Sequence, residues 1–246
     1  MAASAAMFFL GSLMTSHSTS DRPRTAFFGR RKGHQLKRHQ AELMRGLLPR
    51  LAIDLSAQAP GELAALFRHA VTDVRLEIGF GGGEHFVAQA AAHPRIGFIG
   101  CEPFLNGMAK ALALIEAQDV SNVRLHFGDA IELLDWLPDA SLAGVDLLYP
   151  DPWPKRRHWK RRFVQDATVA ALARVLRPGG FFRFATDIPD YGAWTLERVL
   201  RSREFTWTAE CADDWRTAWA GWVETRYEAK AKREERTPNY FVFRRN

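Results

Sequence analysis

Val74-Arg75-Leu76-Glu77-Ile78 runs directly into Gly79-Phe80-Gly81-Gly82-Gly83-Glu84, and residues 84–92 then take helical spacing. A short apolar strand, a glycine turn and a helix N-terminus in that order begin a βαβ unit. The alternation continues downstream. Apolar runs at 96–100, 123–127, 145–149 and 181–186 are separated by helical stretches at 104–117, 130–137, 162–176 and 191–201. Short strands alternating with helices imply right-handed crossovers and a parallel sheet covered on both faces. Two later runs, 206–209 and 240–244, alternate apolar and polar residues as a half-exposed antiparallel pair would. The expected fold is α/β, a mostly parallel sheet with an antiparallel C-terminal strand.

Ligands of such open sheets bind beyond the carboxyl ends of the strands, where strand order reverses. The residues that follow each strand are therefore the candidates. Gly79, Gly81 and Gly83 permit positive φ and let a ligand approach the backbone just ahead of a helix. A dinucleotide fingerprint would need glycine at position 84, where this chain has Glu84. A carboxylate there suits the helix dipole but repels a pyrophosphate, so a nucleoside without phosphates is expected and a nicotinamide cofactor is disfavoured. Glu102, 25 residues after Glu77, closes the second strand, where it can accept from ribose hydroxyls. Asp129, followed by Ala130, closes the third and can accept from an exocyclic amine, a helix cap being its competing role. The glycine turn and the two acids together point to S-adenosylmethionine.

After the fourth strand comes Tyr149-Pro150-Asp151-Pro152-Trp153-Pro154-Lys155. Proline at every second position cannot continue a strand or a helix, so the loop is stiff and fixes the direction of Asp151. A carboxylate held beside the cofactor suits a methyl acceptor that carries paired N–H donors.

Charge is unevenly placed. Residues 1–40 carry +6, residues 155–162 carry +6 and residues 230–246 carry +4, so against a formal net charge of +6 the remainder carries −10. An acidic body with three concentrated basic segments suits a polyanionic partner. Residues 1–33 show no sustained period and are expected to form a mobile basic arm ahead of a single domain over 34–246. The spacing over 36–66 is loosely helical and broken at Pro49 and Pro60. Cys101 and Cys211 have no metal-ligand spacing around them, so neither a zinc site nor a disulfide framework is read here. The apolar opening of the chain lacks a basic lead and is not read as an export signal, and no run of about 18 apolar residues suggests a membrane span. A cytoplasmic protein with reduced thiols is expected.

The motif Glu77-Ile78-Gly79-Phe80-Gly81, the loop Asp151-Pro152-Trp153-Pro154-Lys155 with its basic tail, Thr186-Asp187, and Thr225-Arg226-Tyr227-Glu228 resemble the tRNA (guanine-N7-)-methyltransferase family, TrmB type. The resemblance runs from about Arg22 to the C-terminus. It implies a Rossmann-like enzyme that moves the methyl of S-adenosylmethionine to N7 of guanosine 46 in the tRNA variable loop. It further implies that Glu77, Glu102, Asp129 and Asp151 contact the cofactor, that Asp151 is catalytic, that Lys155, Asp187 and Thr225, Arg226, Tyr227, Glu228 bind substrate, and that Arg157, His158, Trp159, Lys160, Arg161 and Arg162 contact RNA. No metal is implied. Trp159 departs from the polar residue usual there.

N7 of guanine keeps an in-plane lone pair, so it needs no deprotonation before it attacks. Alignment and stabilisation of the developing purine charge are the tasks left to the protein. Asp151 and Asp187 are expected to accept from guanine N1–H and the 2-amino group, a donor pair that adenine lacks. Trp153 or Trp159 could stack on an extruded base. Trp215, Trp219 and Trp222, at helical spacing, are expected to pack in the core, and His85 and His126 to be structural or surface residues. The competing reading is a non-catalytic RNA-binding protein with a vestigial nucleoside pocket, which the complete set of strand-end acids argues against.

Overall fold

The computed structural model describes residues 27–246. Seven strands form one sheet: β1 (Asp73–Ile78), β2 (Ile96–Cys101), β3 (Val123–His126), β4 (Leu142–Leu148), β5 (Leu176–Thr186), β6 (Phe205–Trp207) and β7 (Asn239–Arg245). Their spatial order is β3-β2-β1-β4-β5-β7-β6. The first five run parallel, and β7 inserts antiparallel between β5 and β6. Strand order reverses between β1 and β4, which opens the crevice expected of such sheets.

The helices are α1 (Arg38–Gly46), α2 (Leu48–Leu51), α3 (Glu84–Ala92), α4 (Leu105–Ala117), α5 (Ala130–Trp136), α6 (Asp166–Val175), α7 (Pro189–Arg201), α8 (Asp213–Arg216) and α9 (Arg226–Arg233). Residues of β1 to β5 are buried on both sheet faces, which is why they read as continuous apolar runs. One core, around Leu76, Val145, Leu172 and Phe182, lies beneath α5, α6 and α7. A second, around Phe86, Phe98, Met108 and Leu112, lies beneath α1, α3 and α4. Pro49 falls in the first turn of α2, where the missing N–H has no intrahelical partner to lose, so it starts a helix instead of breaking one.

Two sequence expectations are corrected. The helix expected over 162–176 begins only at Asp166. Thr168 Oγ1 accepts from the Gln165 amide at 2.9 Å and fixes that start, while the basic run before it winds into a separate 3-10 helix, Arg156–Arg161. The tryptophan stripe does not ride on one helix either, because α8 ends at Arg216 and Thr217 is extended. The rings find two partners on β7: Trp215 stacks on Phe241, and Trp219 and Trp222 meet each other and Tyr240 edge-on. Of the arm expected over 1–33, residues 1–26 lie outside the described residues. Residues 27–33 lie along the body, where the Arg31 carbonyl accepts from Leu105 N at 2.9 Å and Gly33 N donates to Asn106 Oδ1 at 2.7 Å.

Candidate active site

A cavity of about 320 Å³ opens at the carboxyl ends of β1, β2 and β4, walled by Gly79, Gly81, Glu102, Asp129, Asp151 and Arg226 among others. Gly79 and Gly81 have φ of 71° and 59°, a conformation that costs glycine nothing. No atom lies within 4 Å of where a Gly79 Cβ would stand, so its backbone faces open space. Gly83 does different work. A Cβ there would sit 2.6 Å from the Ala111 Cβ, so this glycine lets α3 and α4 pack closely and is not a cavity residue.

Glu102 is 5% exposed, accepts from Gly81 N at 2.6 Å and from Phe104 N at 2.8 Å, and is pushed up to about 7 because burial outweighs those two amides. A carboxylate offers about four lone-pair directions, so capacity for ligand hydroxyls remains. Asp129 Oδ1 accepts from Ile131 N at 2.9 Å, the helix cap weighed from sequence, and Oδ2 accepts from Phe27 N at 2.9 Å. Ala130 lines the same wall.

The Asp151 loop is as stiff as its prolines imply. Tyr149 and Trp153 adopt φ of 50° and 42°, left-handed values that a non-glycine residue holds only when its surroundings enforce them. Asp151 reaches solvent, yet desolvation by the cavity walls raises its carboxyl above the ordinary aspartate range.

Glu77 lies elsewhere. It pairs with the buried His85, Nδ1 to Oε2 at 2.7 Å, and stands in strand register with Asp146, which in turn stands opposite Arg183. Side chains alternate across a strand, so Ile78 reaches the cavity and Glu77 does not. Burial would lower the His85 pKa, but the charge and hydrogen bond of Glu77 raise it overall. Burial likewise pushes Asp146 up to about 6 against the pull of Arg183.

The four residues 225–228 divide between two tasks. Thr225 caps α9, accepting from Glu228 N at 3.1 Å. The Glu228 carboxylate is buried and accepts from Trp222 Nε1 and from Tyr240 Oη, both at 2.6 Å. Arg226 and Tyr227, between them, line the cavity, and a Gly81 Cβ would stand 3.2 Å from an Arg226 guanidinium nitrogen. Asp187 does not line the cavity; its Oδ2 accepts from Arg236 Nε at 2.5 Å. Lys155 is exposed just before the 3-10 helix.

A 3-10 helix has three residues per turn, so positions three apart share a ridge. His158 and Arg161 turn toward the loop, His158 edge-on to Trp153 and Arg161 stacked on it at 4.9 Å. Arg157 and Lys160 are exposed. Trp159 and Arg162 turn inward. Trp159 meets Trp194 edge-on at 5.3 Å and stays partly exposed, whereas the Arg162 side chain is 0% exposed and presents no surface to RNA in this arrangement. The sequence reading missed the wall contributed by Phe27, Phe28, Gly29 and Arg30, whose only signal was basic composition without a period, and it missed Arg236 as the partner of Asp187.

Among the described residues no helix is long and apolar enough to cross a membrane, and no group of three or more His, Cys, Asp or Glu side chains is placed to hold a metal ion. A protein family described as "Putative methyltransferase" matches residues 72–240. The chain is 64% identical over 223 residues to the tRNA (guanine-N(7)-)-methyltransferase of Rhodopseudomonas palustris (strain BisB18), covering 91% of this chain and 89% of that protein. It is 62% identical to the protein of the same name from Bradyrhizobium diazoefficiens over 221 residues, 90% of this chain and 94% of the other. Among solved structures, the 16S rRNA methyltransferase KamB superposes with a TM-score of 0.51 at 17% identity, over 72% of this chain and 89% of that one, a likeness of fold. Sheet, strand-end acids and near full-length identity agree, and the chain belongs to the tRNA (guanine-N7-)-methyltransferase family.

Proposed function

We propose that the chain transfers the methyl group of S-adenosyl-L-methionine to N7 of guanosine 46 in the tRNA variable loop, as a cytoplasmic enzyme whose methyltransferase domain is residues 34–246, with residues 27–30 of the preceding segment completing the cavity wall. The observation that carries this reading is the shared cavity of Glu102 and Asp151, one acid built into the glycine turn and the other held on a strained loop. The open backbone face of Gly79 and the spare capacity of Glu102 fit a nucleoside without phosphates. Gly79, Gly81, Glu102, Asp129 and Ala130 would hold the cofactor, which supplies an electrophilic methyl when bound.

The work of this chain is positioning. Guanine N7 needs no base, so Asp151 orients the purine and stabilises the positive charge that alkylation leaves on it. Arg236 takes Oδ2 of Asp187, which stands outside the cavity, so Asp187 reaches the guanine donors only where the base projects past the cavity wall. Arg226 and Tyr227 close the cavity over the glycine turn, and the exposed Arg157 and Lys160 meet phosphates.

Asp151→Ala is the test. Formation of 7-methylguanosine in unmodified tRNA should fall by about 100-fold or more, while S-adenosylhomocysteine still binds by calorimetry. Methyl groups found on another atom of the base, or only in protein, would overturn the assignment. RNA binding without any transfer by the wild-type chain would favour the vestigial-pocket alternative.

A further inference from the structure

We propose that Arg162 is a positioning residue for methyl transfer, a buried guanidinium that holds the Asp151 loop and the outward basic ridge to α7; the proposal rests on the function inferred above. The basic run from 155 to 162 reads as one RNA-facing surface, and Arg162 is the member that departs from it. Its side chain is 0% exposed. The rings of Trp159, Tyr191 and Trp194 surround the guanidinium carbon at 5.0, 5.0 and 4.9 Å. Nε donates to the Pro152 carbonyl at 2.9 Å, and Nη2 pairs with Asp190 in the first turn of α7.

Burying a cation is costly unless its donors are met, and a planar guanidinium can stack its faces on aromatic rings while its edge donates. Arg162 meets this at Nε and Nη2 and on its ring-stacked faces, while Nη1 is buried without a hydrogen-bond partner, so the site holds the cation at a cost. The carbonyl it holds belongs to the peptide that joins Pro152 to Trp153, where Trp153 takes φ of 42°. Left-handed backbone at a bulky residue persists only where something outside the loop fixes it. Asp151 is the next residue back, so rotation of that peptide would redirect its carboxylate. Arg162 N also donates to the Trp159 carbonyl at 3.0 Å, closing the 3-10 helix that carries Arg157 and Lys160. The side chain thus ties the Asp151 loop and the Trp159 ring to α7, while the backbone amide of the same residue closes the basic ridge, and Arg162 acts through Asp151 without touching substrate.

The experiment compares Arg162→Lys and Arg162→Met with wild type in steady-state methylation of tRNA, alongside tRNA binding across salt concentrations, S-adenosylhomocysteine binding and thermal stability. Misplacing a catalytic group by about an ångström can cost about 100-fold, so kcat should fall by that order in both variants. KM for tRNA, the salt slope and the affinity for S-adenosylhomocysteine should stay within a few-fold of wild type. Lysine keeps the charge but neither the fork nor the flat face, so it should not rescue kcat. Recovery of wild-type kcat in Arg162→Lys would overturn the proposal by showing that charge alone matters. So would a loss of tRNA affinity with a shallower salt slope, which marks a phosphate contact, or lowered thermal stability with kcat unchanged. If Arg162→Met does not fold, Arg162→Lys and Asp190→Asn read the same split between kcat and KM. Wild-type protein that transfers no methyl to tRNA overturns the proposed function, whereas active wild type with equally active variants overturns only the positioning role.

Discussion

Gly81 donates its backbone amide to Oε2 of Glu102 at 2.6 Å, so the glycine turn after β1 and the acid that ends β2 form a single hydrogen-bonded unit. Burial pushes Glu102 up to about 7 in the free protein. A ligand that donates hydroxyls to it favours the ionised form and lowers that value, so binding releases a proton. Affinity for S-adenosylhomocysteine should therefore rise as pH increases from about 6 to about 8, and Glu102→Gln should both weaken binding and remove the pH dependence. Calorimetry in buffers of different ionisation enthalpy measures the proton directly. A pH-independent affinity in wild type would refute this.

Gly107, in the first turns of α4, packs against the same unit: a Cβ there would stand 2.5 Å from the Gly81 carbonyl oxygen. Alanine would gain about 1 kcal/mol of helix propensity, but displacing backbone in a packed site costs about 1–3 kcal/mol. Gly107→Ala is expected to lower the melting temperature and weaken S-adenosylhomocysteine binding together. A variant more stable than wild type with unchanged affinity would show that the turn can yield.

Asp146 gives a stability prediction with a definite sign. Its folded value of about 6 lies above the ordinary 3.8, so between those limits the native state holds a proton that the unfolded chain releases. Stability contributed by that proton is present at low pH and lost as pH rises through about 6. The melting temperature of wild type relative to Asp146→Asn should therefore decline from about pH 4 to about pH 6 and then level off. Parallel curves for the two proteins would remove Asp146 as the titrating group.

Arg157→Gln with Lys160→Gln should weaken tRNA binding and reduce its logarithmic salt slope by about 0.7–0.9 for each phosphate that is no longer neutralised. Filter binding over a range of salt concentrations tests it. An unchanged slope would make this ridge ordinary solvated surface.

The strands were legible because β1 to β5 are buried on both faces and so write themselves as unbroken apolar runs, and the strand-end acids followed from where such sheets bind ligands. Glu102, Asp129 and Asp151 accordingly stand at one cavity. Glu77 did not join them because a one-residue step along a strand reverses the face. Arg162 was illegible for a different reason. In a run of bases, composition is the same for every member, and only the threefold ridge of a 3-10 helix decides which one turns inward. Thr225-Arg226-Tyr227-Glu228 did carry a readable signal, since a threonine followed three residues later by glutamate is the capping-box pattern, of which the structure keeps the Thr225 half while Glu228 turns to Trp222 and Tyr240. That pattern separates the two structural ends, Thr225 and Glu228, from the cavity-facing Arg226 and Tyr227.

β7 lies between β5 and β6 although it is made last. A growing chain thus exposes Phe205-Thr206-Trp207 long before a partner for it exists, and the outer edge of β5 stays unpaired until residues 239–245 have left the ribosome. Completion of the sheet is deferred until the last of its seven strands emerges. A premature stop that removes only the final strand would leave two open strand edges, the kind of surface through which unfinished chains associate.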